Sequence, residues 1–542
     1  MLLEMDLPNR ETACEADTVY ADPAIITNED NNNEVAHHIG ENEVTIRQGT
    51  TLQQFYAGQS IFITGGTGFL GHILIEKLLR SCSDLSTIYL LVRPKKGKDI
   101  QNRLEQIFTN PIFNRLKEEV PKFRHKVVAV AGDCSAQDLG LSSADRTLLI
   151  RNVSTVFHVA ATVRFDEKLK LATAINIRST GDIIDLCKHM PKLKAFIHVS
   201  TAYANSHLWE IDERFYNYPI KHNDLSKVME CLPDNVIDEI TPRIIGSWPN
   251  TYAFTKAIAE DLVKEKNKGL PMGIFRPAIV VSTANEPIDG WINNLYGPTG
   301  VVAGAATGLL RTLYCDANIN ANIVPVDLAV NALIVSAWDV ATQTNKRDDD
   351  MLIYNYVSSV EAPLTWGDYC ETNLKYGHQY PLSNSIWYLS FRMNKHKIIH
   401  LLYVLFLHLL PALLVDTVSI CFGQKPRLWK GYQKIHKFAT VIEYFCNHEW
   451  KFTNDNVQAM WLRLDSKDQQ LFRFSMKGFD WQNYFSTYMK GIRLYLFNED
   501  LSTLETSRAR WRKFYWMHKT LKTLIFFSSM WIIWRFLSII FF

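Results

Sequence analysis

The chain has 542 residues, room for three or four compact units of about 150 residues each, and is far longer than a disulfide-stapled mini-protein. Apolar residues make up 47% and charged residues 21%, which excludes both a wholly disordered chain and a multi-span transporter. The 58 basic and 56 acidic residues leave +2, too little for a uniform nucleic-acid-binding field, and nine cysteines without a CxxC pair argue against a disulfide framework or a structural zinc site.

Residues 1–50 carry 11 acidic residues against two arginines, a local charge of −9. With Asn31–Asn33 and little apolar periodicity, residues 1–57 read as a solvated, disordered acidic tail. No basic segment precedes an apolar core there, so no secretory signal is expected. Order is expected from about Gln59. Apolar runs at Ser60–Thr64, Thr87–Val92, Lys126–Ala131, Ser154–Val159, Ala195–Ser200 and Gly273–Val281 alternate with the helix-length segments Phe69–Arg80, Asp166–His189 and Ala253–Lys266. That alternation predicts an α/β fold, a doubly wound parallel Rossmann sheet with a substrate-binding lobe over 58–380. Beyond it the chain turns aromatic, basic and mostly helical, which predicts a C-terminal domain over 381–500, a basic juxtamembrane segment over 501–522 and a transmembrane anchor over 523–542.

Leu524–Phe542 would span roughly 28 Å as a helix, near the ~30 Å hydrocarbon core. Its one charge, Arg535, costs about 2.5–3.5 kcal/mol at a helix centre, but lies close enough to the end to snorkel outward. Arg508, Arg510, Arg512, Lys513, Lys519 and Lys522 flank the other side, as cytosolic flanks do. Ile398–Val415 is a second apolar run, interrupted by Pro411 and bordered by cations at both ends. It suits a hairpin or in-plane helix dipping into lipid, or a core helix of the C-terminal domain.

The first strand runs into Thr64-Gly65-Gly66-Thr67-Gly68-Phe69-Leu70-Gly71 and then a helix. Glycines at 65, 68 and 71 permit a turn that aims backbone N–H groups at a pyrophosphate, so Gly65, Thr67, Gly68, Phe69, Leu70 and Gly71 are expected to hold a dinucleotide. Where dinucleotide folds usually place an acid after the second strand, this chain has Arg93, followed by Pro94, Lys95 and Lys96. A cation there suits a ribose 2′-phosphate and favours NADPH over NADH. Asp133, closing the third strand, is either an acceptor for the adenine amino group or an exposed strand-end residue.

Tyr252 and Lys256 lie four residues apart, on one helix face. A nearby ammonium lowers a phenol's pKa, so Tyr252 is expected to protonate a carbonyl oxygen that receives hydride, with Lys256 also binding the nicotinamide ribose. Thr201, at the carboxyl edge of the fifth strand and preferred to Ser200, is the expected donor to the developing oxyanion. No metal site is expected.

Together these residues resemble the extended short-chain dehydrogenase/reductase superfamily. Within it, Thr64–Gly71, Ile88–Lys98, His158-Val159-Ala160-Ala161, His198–Asn205 and, further on, His408-Leu409-Leu410-Pro411-Ala412 with Asp416, Gly423 and Lys425-Pro426 are similar to the alcohol-forming fatty acyl-CoA reductases. The resemblance covers about residues 58–500. It implies two hydride transfers from NADPH to a long- or very-long-chain acyl-CoA: the first expels CoA and leaves an aldehyde, and the second yields a primary alcohol. The apolar C-terminal run and its basic flank make membrane lipid a partner and place the catalytic body in the cytosol; Ile540-Phe541-Phe542 is not a peroxisomal tripeptide, which favours the endoplasmic reticulum, with peroxisomes or lipid droplets as alternatives. His408 is a weaker candidate acid–base group, with packing the preferred reading. A membrane-bound NAD(P)-dependent steroid or sterol dehydrogenase, and a non-catalytic dinucleotide-binding scaffold, are the competing functions.

Overall fold

A computed structural model describes residues 49–94, 99–343 and 351–541, so most of the acidic tail lies outside the described residues. Order begins earlier than expected. Thr51–Tyr56 is a short helix closed by a capping box between Thr50 and Gln53. Leu52 and Tyr56 are fully buried, and the Tyr56 hydroxyl donates to the Ile334 carbonyl at 2.6 Å. Six residues are too few to show a helical period, and the neighbouring acidic stretch masks them.

The strands are β1 (Ser60–Thr64), β2 (Thr87–Val92), β3 (Val127–Ala131), β4 (Thr155–His158), β5 (Ala195–Val199), β6 (Glu210–Ile211), β7 (Met272–Pro277), β8 (Ile279–Val281), β9 (Thr312–Tyr314), β10 (Ile323–Pro325), β11 (Leu352–Tyr356), β12 (Arg392–Asn394) and β13 (Lys451–Phe452). Seven form one sheet in the order β11-β7-β5-β4-β1-β2-β3, and every pairing in it is parallel. β1, β5, β7 and β11 are buried along their whole length, as strands covered by helices on both faces must be. The order reverses beside β1, between β2 and β4, and opens a crevice at the carboxyl ends of these strands.

Two expected elements are broken. The run Gly273–Val281 divides at Pro277: β7 stays in the main sheet, while β8 pairs with β10. Proline has no N–H for the ladder, so the chain leaves the sheet there and turns over its carboxyl edge. The expected helix Asp166–His189 starts at Leu169 and carries a π-helical turn at Ala174–Arg178. That turn places Asn176 inward, where its amide nitrogen donates to Thr255 Oγ1 at 2.9 Å and its oxygen accepts from Thr162 N at 3.0 Å.

In the C-terminal region, Lys397–Cys421 is one continuous helix of 25 residues, despite Pro411. A π turn at Leu405–Leu409 ends just before the proline, with Leu410 N donating to the Leu405 carbonyl, and His408 within it is buried. Most of its other side chains are uncovered: Ile398 is 76% exposed and Leu414 67%. The helix Leu504–Phe541 is about 57 Å long, so the basic segment and the apolar end are one rod. Its first half docks through aromatic rings, with Tyr388 5.2 Å from Trp511 and Trp387 Nε1 donating to His518 Nδ1 at 3.2 Å. Its apolar half is exposed from Leu524 to Leu537. Both helices are long and apolar enough to cross a membrane.

Candidate active site

The turn after β1 has the geometry a pyrophosphate needs. Gly65 adopts a φ of +75°, and a Cβ there would lie 2.6 Å from the Ala160 nitrogen. A Cβ on Gly71 would strike the Gly65 carbonyl. Gly68 caps the helix Phe69–Ser81 without a side chain, and Thr67 and Gly68 are exposed. The first N–H groups of that helix therefore face open space at the sheet's switch point, and the residues present fit a nicotinamide dinucleotide. His158, at the end of β4, holds the turn from below: Nδ1 lies 2.7 Å from Thr64 Oγ1, which accepts from Ala160 N at 3.3 Å. Burial, with Lys256 nearby, pushes His158 down to about 3, so the ring is neutral.

Arg93 and Asp133 stand at the ends of β2 and β3, with Arg93 Nε 3.9 Å from Asp133 Oδ2. The other Asp133 oxygen accepts from Ser135 N and Oγ, both at 2.8 Å. Arg93 is largely exposed, and Arg103, absent from the sequence reading, donates to its carbonyl. Arg103 belongs to a helix ten residues further on, and only the fold brings it to the same rim. Lys95 and Lys96 lie outside the described residues.

Thr201, Tyr252 and Lys256 line the same cavity as the glycine turn, Arg93 and Asp133. Asn250 starts the helix Thr251–Lys266 by accepting from Ala253 N at 2.8 Å, which sets Tyr252 in its first turn. The Tyr252 ring stacks 5.8 Å from Phe165. One expectation is corrected here. Lys256 Nζ donates to the Val199 carbonyl at 2.7 Å and does not depress the phenol. Burial pushes Tyr252 up to about 12, opposed only by a hydrogen bond with Thr201. Burial also brings Lys256 down to about 8, against the pull of Glu260.

Ser200 and Thr201 have separate surroundings. Both line the cavity, but Ser200 Oγ donates to Glu260 Oε1 at 2.5 Å, and Glu260 is ion-paired with Arg276. Thr201 Oγ1 accepts from Tyr203 N at 3.2 Å and sits beside the phenol. His408 lies outside the cavity. It is fully buried, its Nε2 accepts from Arg311 N at 3.0 Å, and its ring stacks 4.9 Å from Tyr432, which is a packing role. Asp416 accepts from the backbone nitrogens of Arg427, Leu428 and Trp429, and so caps the next helix.

The cavity holds about 820 Å³, within the usual range of ligand sites. Away from the glycine turn its wall is apolar, formed by Val302, Leu313, Phe391, Ile442, Phe445 and Met489. These residues are spread over 187 positions of chain, from Val302 to Met489, and no spacing in the sequence marks them.

An NAD-binding family described as "Male sterility protein" matches residues 63–333, and a second family, Sterile, with the same description, matches 407–499. The chain is 42% identical over 494 residues to fatty acyl-CoA reductase wat of Drosophila melanogaster, covering 91% of this chain and 95% of the relative. It is 34% identical over 463 residues to fatty acyl-CoA reductase 1 of Homo sapiens, covering 85% and 89%. Among solved structures, the reductase domain of a nonribosomal peptide synthetase from Mycobacterium tuberculosis superposes with a TM-score of 0.54 at 19% identity, covering 82% of this chain and 93% of that one. The terminal R domain of the myxalamid pathway superposes at 0.52 and 18%, with the same coverage. The two solved structures share the fold; the sequence relatives, matched over nearly their whole length, establish that the chain belongs to the fatty acyl-CoA reductase family.

Proposed function

We propose that this chain reduces a long- or very-long-chain fatty acyl-CoA to the primary alcohol, with release of CoA and consumption of two NADPH. One observation carries the reading: a single cavity joins the glycine turn, the Thr201–Tyr252–Lys256 group and a long apolar wall. Bound NADPH supplies the hydride for each of the two reductions. The Thr201 and Tyr252 hydroxyls hold the thioester oxygen as it gains negative charge. A phenol held near 12 stays protonated at neutral pH and has its proton to give. Lys256 binds the nicotinamide ribose. When the thiol of CoA has left, the same hydroxyls hold the aldehyde oxygen for the second reduction. Arg93 selects NADPH by pairing with the 2′-phosphate, and Asp133 accepts from the adenine.

The protein works on a membrane surface in this reading. Leu504–Phe541 anchors it through its apolar half, with the basic half and the catalytic body on the cytosolic side, most simply at the endoplasmic reticulum. Lys397–Cys421 lies in the lipid interface. The cavity residues Phe391 and Met393 lead directly into that helix, which gives an acyl tail a path out of the bilayer.

The purified full chain in detergent, given NADPH and acyl-CoAs of graded length, is expected to release one free thiol and one alcohol per two NADPH oxidised. Absence of thiol release across the whole series, with NADPH bound, would overturn the reading.

A further inference from the structure

We propose that His222, Asp261 and Glu265 form a divalent-metal site, remote from the reaction cavity, that clamps the two-helix excursion His222–Ile245 onto the helix bearing Tyr252 and Lys256. His222 opens the helix His222–Cys231. Asp261 and Glu265, four residues apart, share one face of the helix Thr251–Lys266. His222 Nδ1 lies 3.6 Å from Asp261 Oδ2 and 3.6 Å from Glu265 Oε2, and the three atoms lie within 4.8 Å of one another.

Those separations are too long for an N–H···O bond, which needs about 2.7–3.2 Å. Yet His222 is 4% exposed and Asp261 8%, and neither His222 Nδ1 nor Asp261 Oδ2 has a hydrogen-bond partner. Buried polar atoms that face one another across such a gap are the arrangement expected of ligands around an ion. A cation about 2.1 Å from each atom subtends roughly 120° across 3.6 Å, near the tetrahedral angle of zinc. One imidazole and two carboxylates suit a first-row divalent ion such as Zn²⁺ or Mn²⁺, and Glu265, half-exposed, leaves a side open for water.

The site is structural. Asp261 lies nine residues beyond Tyr252, about 13 Å along the helix. The excursion also packs against Leu169–Thr173, so a metal here would fix the outer wall of the catalytic helix.

The test uses the full chain in detergent, stripped with a chelator and titrated with Zn²⁺, Mn²⁺, Ca²⁺ and Mg²⁺. Metal content after gel filtration and the thermal midpoint are both read. One Zn²⁺ per chain, with a raised midpoint and at least a tenfold preference over Ca²⁺ and Mg²⁺, is expected. Because His222→Ala removes a buried side chain, the half-exposed Glu265→Gln carries the test, and it should weaken Zn²⁺ binding at least tenfold. Glu239→Gln, an exposed carboxylate on the same excursion, should bind as the parent does. Parent protein that retains no stoichiometric Zn²⁺, or a Glu265→Gln variant that binds equally well, overturns the proposal. So does a midpoint that follows pH alone and ignores the chelator, which would leave a protonated imidazole between two carboxylates.

Discussion

Arg276 and Glu260 form a two-pronged ion pair with no exposed surface on either side chain: Nε lies 2.9 Å from Oε1 and Nη2 2.7 Å from Oε2. The same carboxylate accepts from Ser200, one residue before Thr201, and Glu260 lies one turn beyond Lys256. Arg276 spends its remaining donors on the Asp212 and Arg214 carbonyls and on Asn355. Strand β5, β7 and the helix bearing Tyr252 and Lys256 are thus locked at the level of Thr201. Arg276→Met leaves a buried carboxylate without its partner and should cost about 3–5 kcal/mol in urea unfolding. Glu260→Gln keeps the shape and a hydrogen-bond acceptor for Ser200. It should lose less stability but still lower kcat, because Thr201 and Lys256 share its scaffold.

The hydroxyl pair separates by chemistry. Tyr252→Phe keeps the stacked ring and removes the proton, so alcohol formation should fall about 10²–10⁴-fold while NADPH binding persists. Thr201→Ala should cost about 10²–10³-fold, and Thr201→Ser should restore most of it. Ser200→Ala acts on Glu260 alone and should alter stability more than rate. Alcohol yield by gas chromatography, beside NADPH titration, distinguishes these outcomes.

Lys256 makes stability depend on pH in a defined direction. Burial holds its ammonium near 8, against an ordinary value of 10.5. Between those values the unfolded chain binds more protons than the folded one, so stability rises with pH through that window. Below the window the buried charge exacts its full cost. At about 1.4 kcal/mol per pH unit over about 2.5 units, the rise is roughly 3–4 kcal/mol, and it should be missing in Lys256→Met. Urea midpoints measured from pH 7 to 10.5 check this.

Cofactor choice is expected to follow Arg93. A charge-assisted bond to a phosphate contributes about 1.5–3 kcal/mol, so Arg93→Ala should raise the KM for NADPH roughly 10- to 100-fold and leave the KM for NADH nearly unchanged. Arg93→Glu should go further and place two acids beside the 2′-position, since Asp133 lies 3.9 Å away. Equal loss with both cofactors would remove Arg93 from this role.

What could be read in advance follows how local each feature is. β1, the Gly65–Gly71 turn and the helix after it occupy fewer than thirty consecutive residues, and both their order and their glycines are visible in the chain. The spacing of Tyr252 and Lys256 likewise announces a shared face. The destination of the Lys256 ammonium does not, because the Val199 carbonyl is 57 residues away and reaches it only through sheet assembly. The preference for Thr201 over Ser200 is readable in the chain, whereas the reason Ser200 is occupied, its bond to Glu260 sixty residues away, is not. The break at Pro277 is hidden by two equally apolar halves of the run, although a proline inside a strand signals it. The apolar wall, drawn from Val302 through Met489, has no local signature at all.

The helix Lys397–Cys421 can be tested apart from the C-terminal helix Leu504–Phe541. Deleting 523–542 removes the apolar half of the last helix and leaves its docked aromatic half in place. If Lys397–Cys421 were a core helix, the truncated protein would be fully soluble. Its side chains argue otherwise: Leu401, Leu402, Phe406, Leu413, Leu414 and Val418 are all more than half exposed, while His408, Ala412 and Asp416 face the body. Lys425, Arg427, Lys430 and Lys434 follow immediately and are placed to meet anionic headgroups, each contributing about 1 kcal/mol near the surface. The truncated chain should therefore float with anionic vesicles at low salt and resist carbonate extraction in part. Phe406→Glu with Leu414→Glu should release it, because neither side chain carries the core. Flotation of the truncated double variant at the level of the truncated parent would show that this face meets something other than lipid.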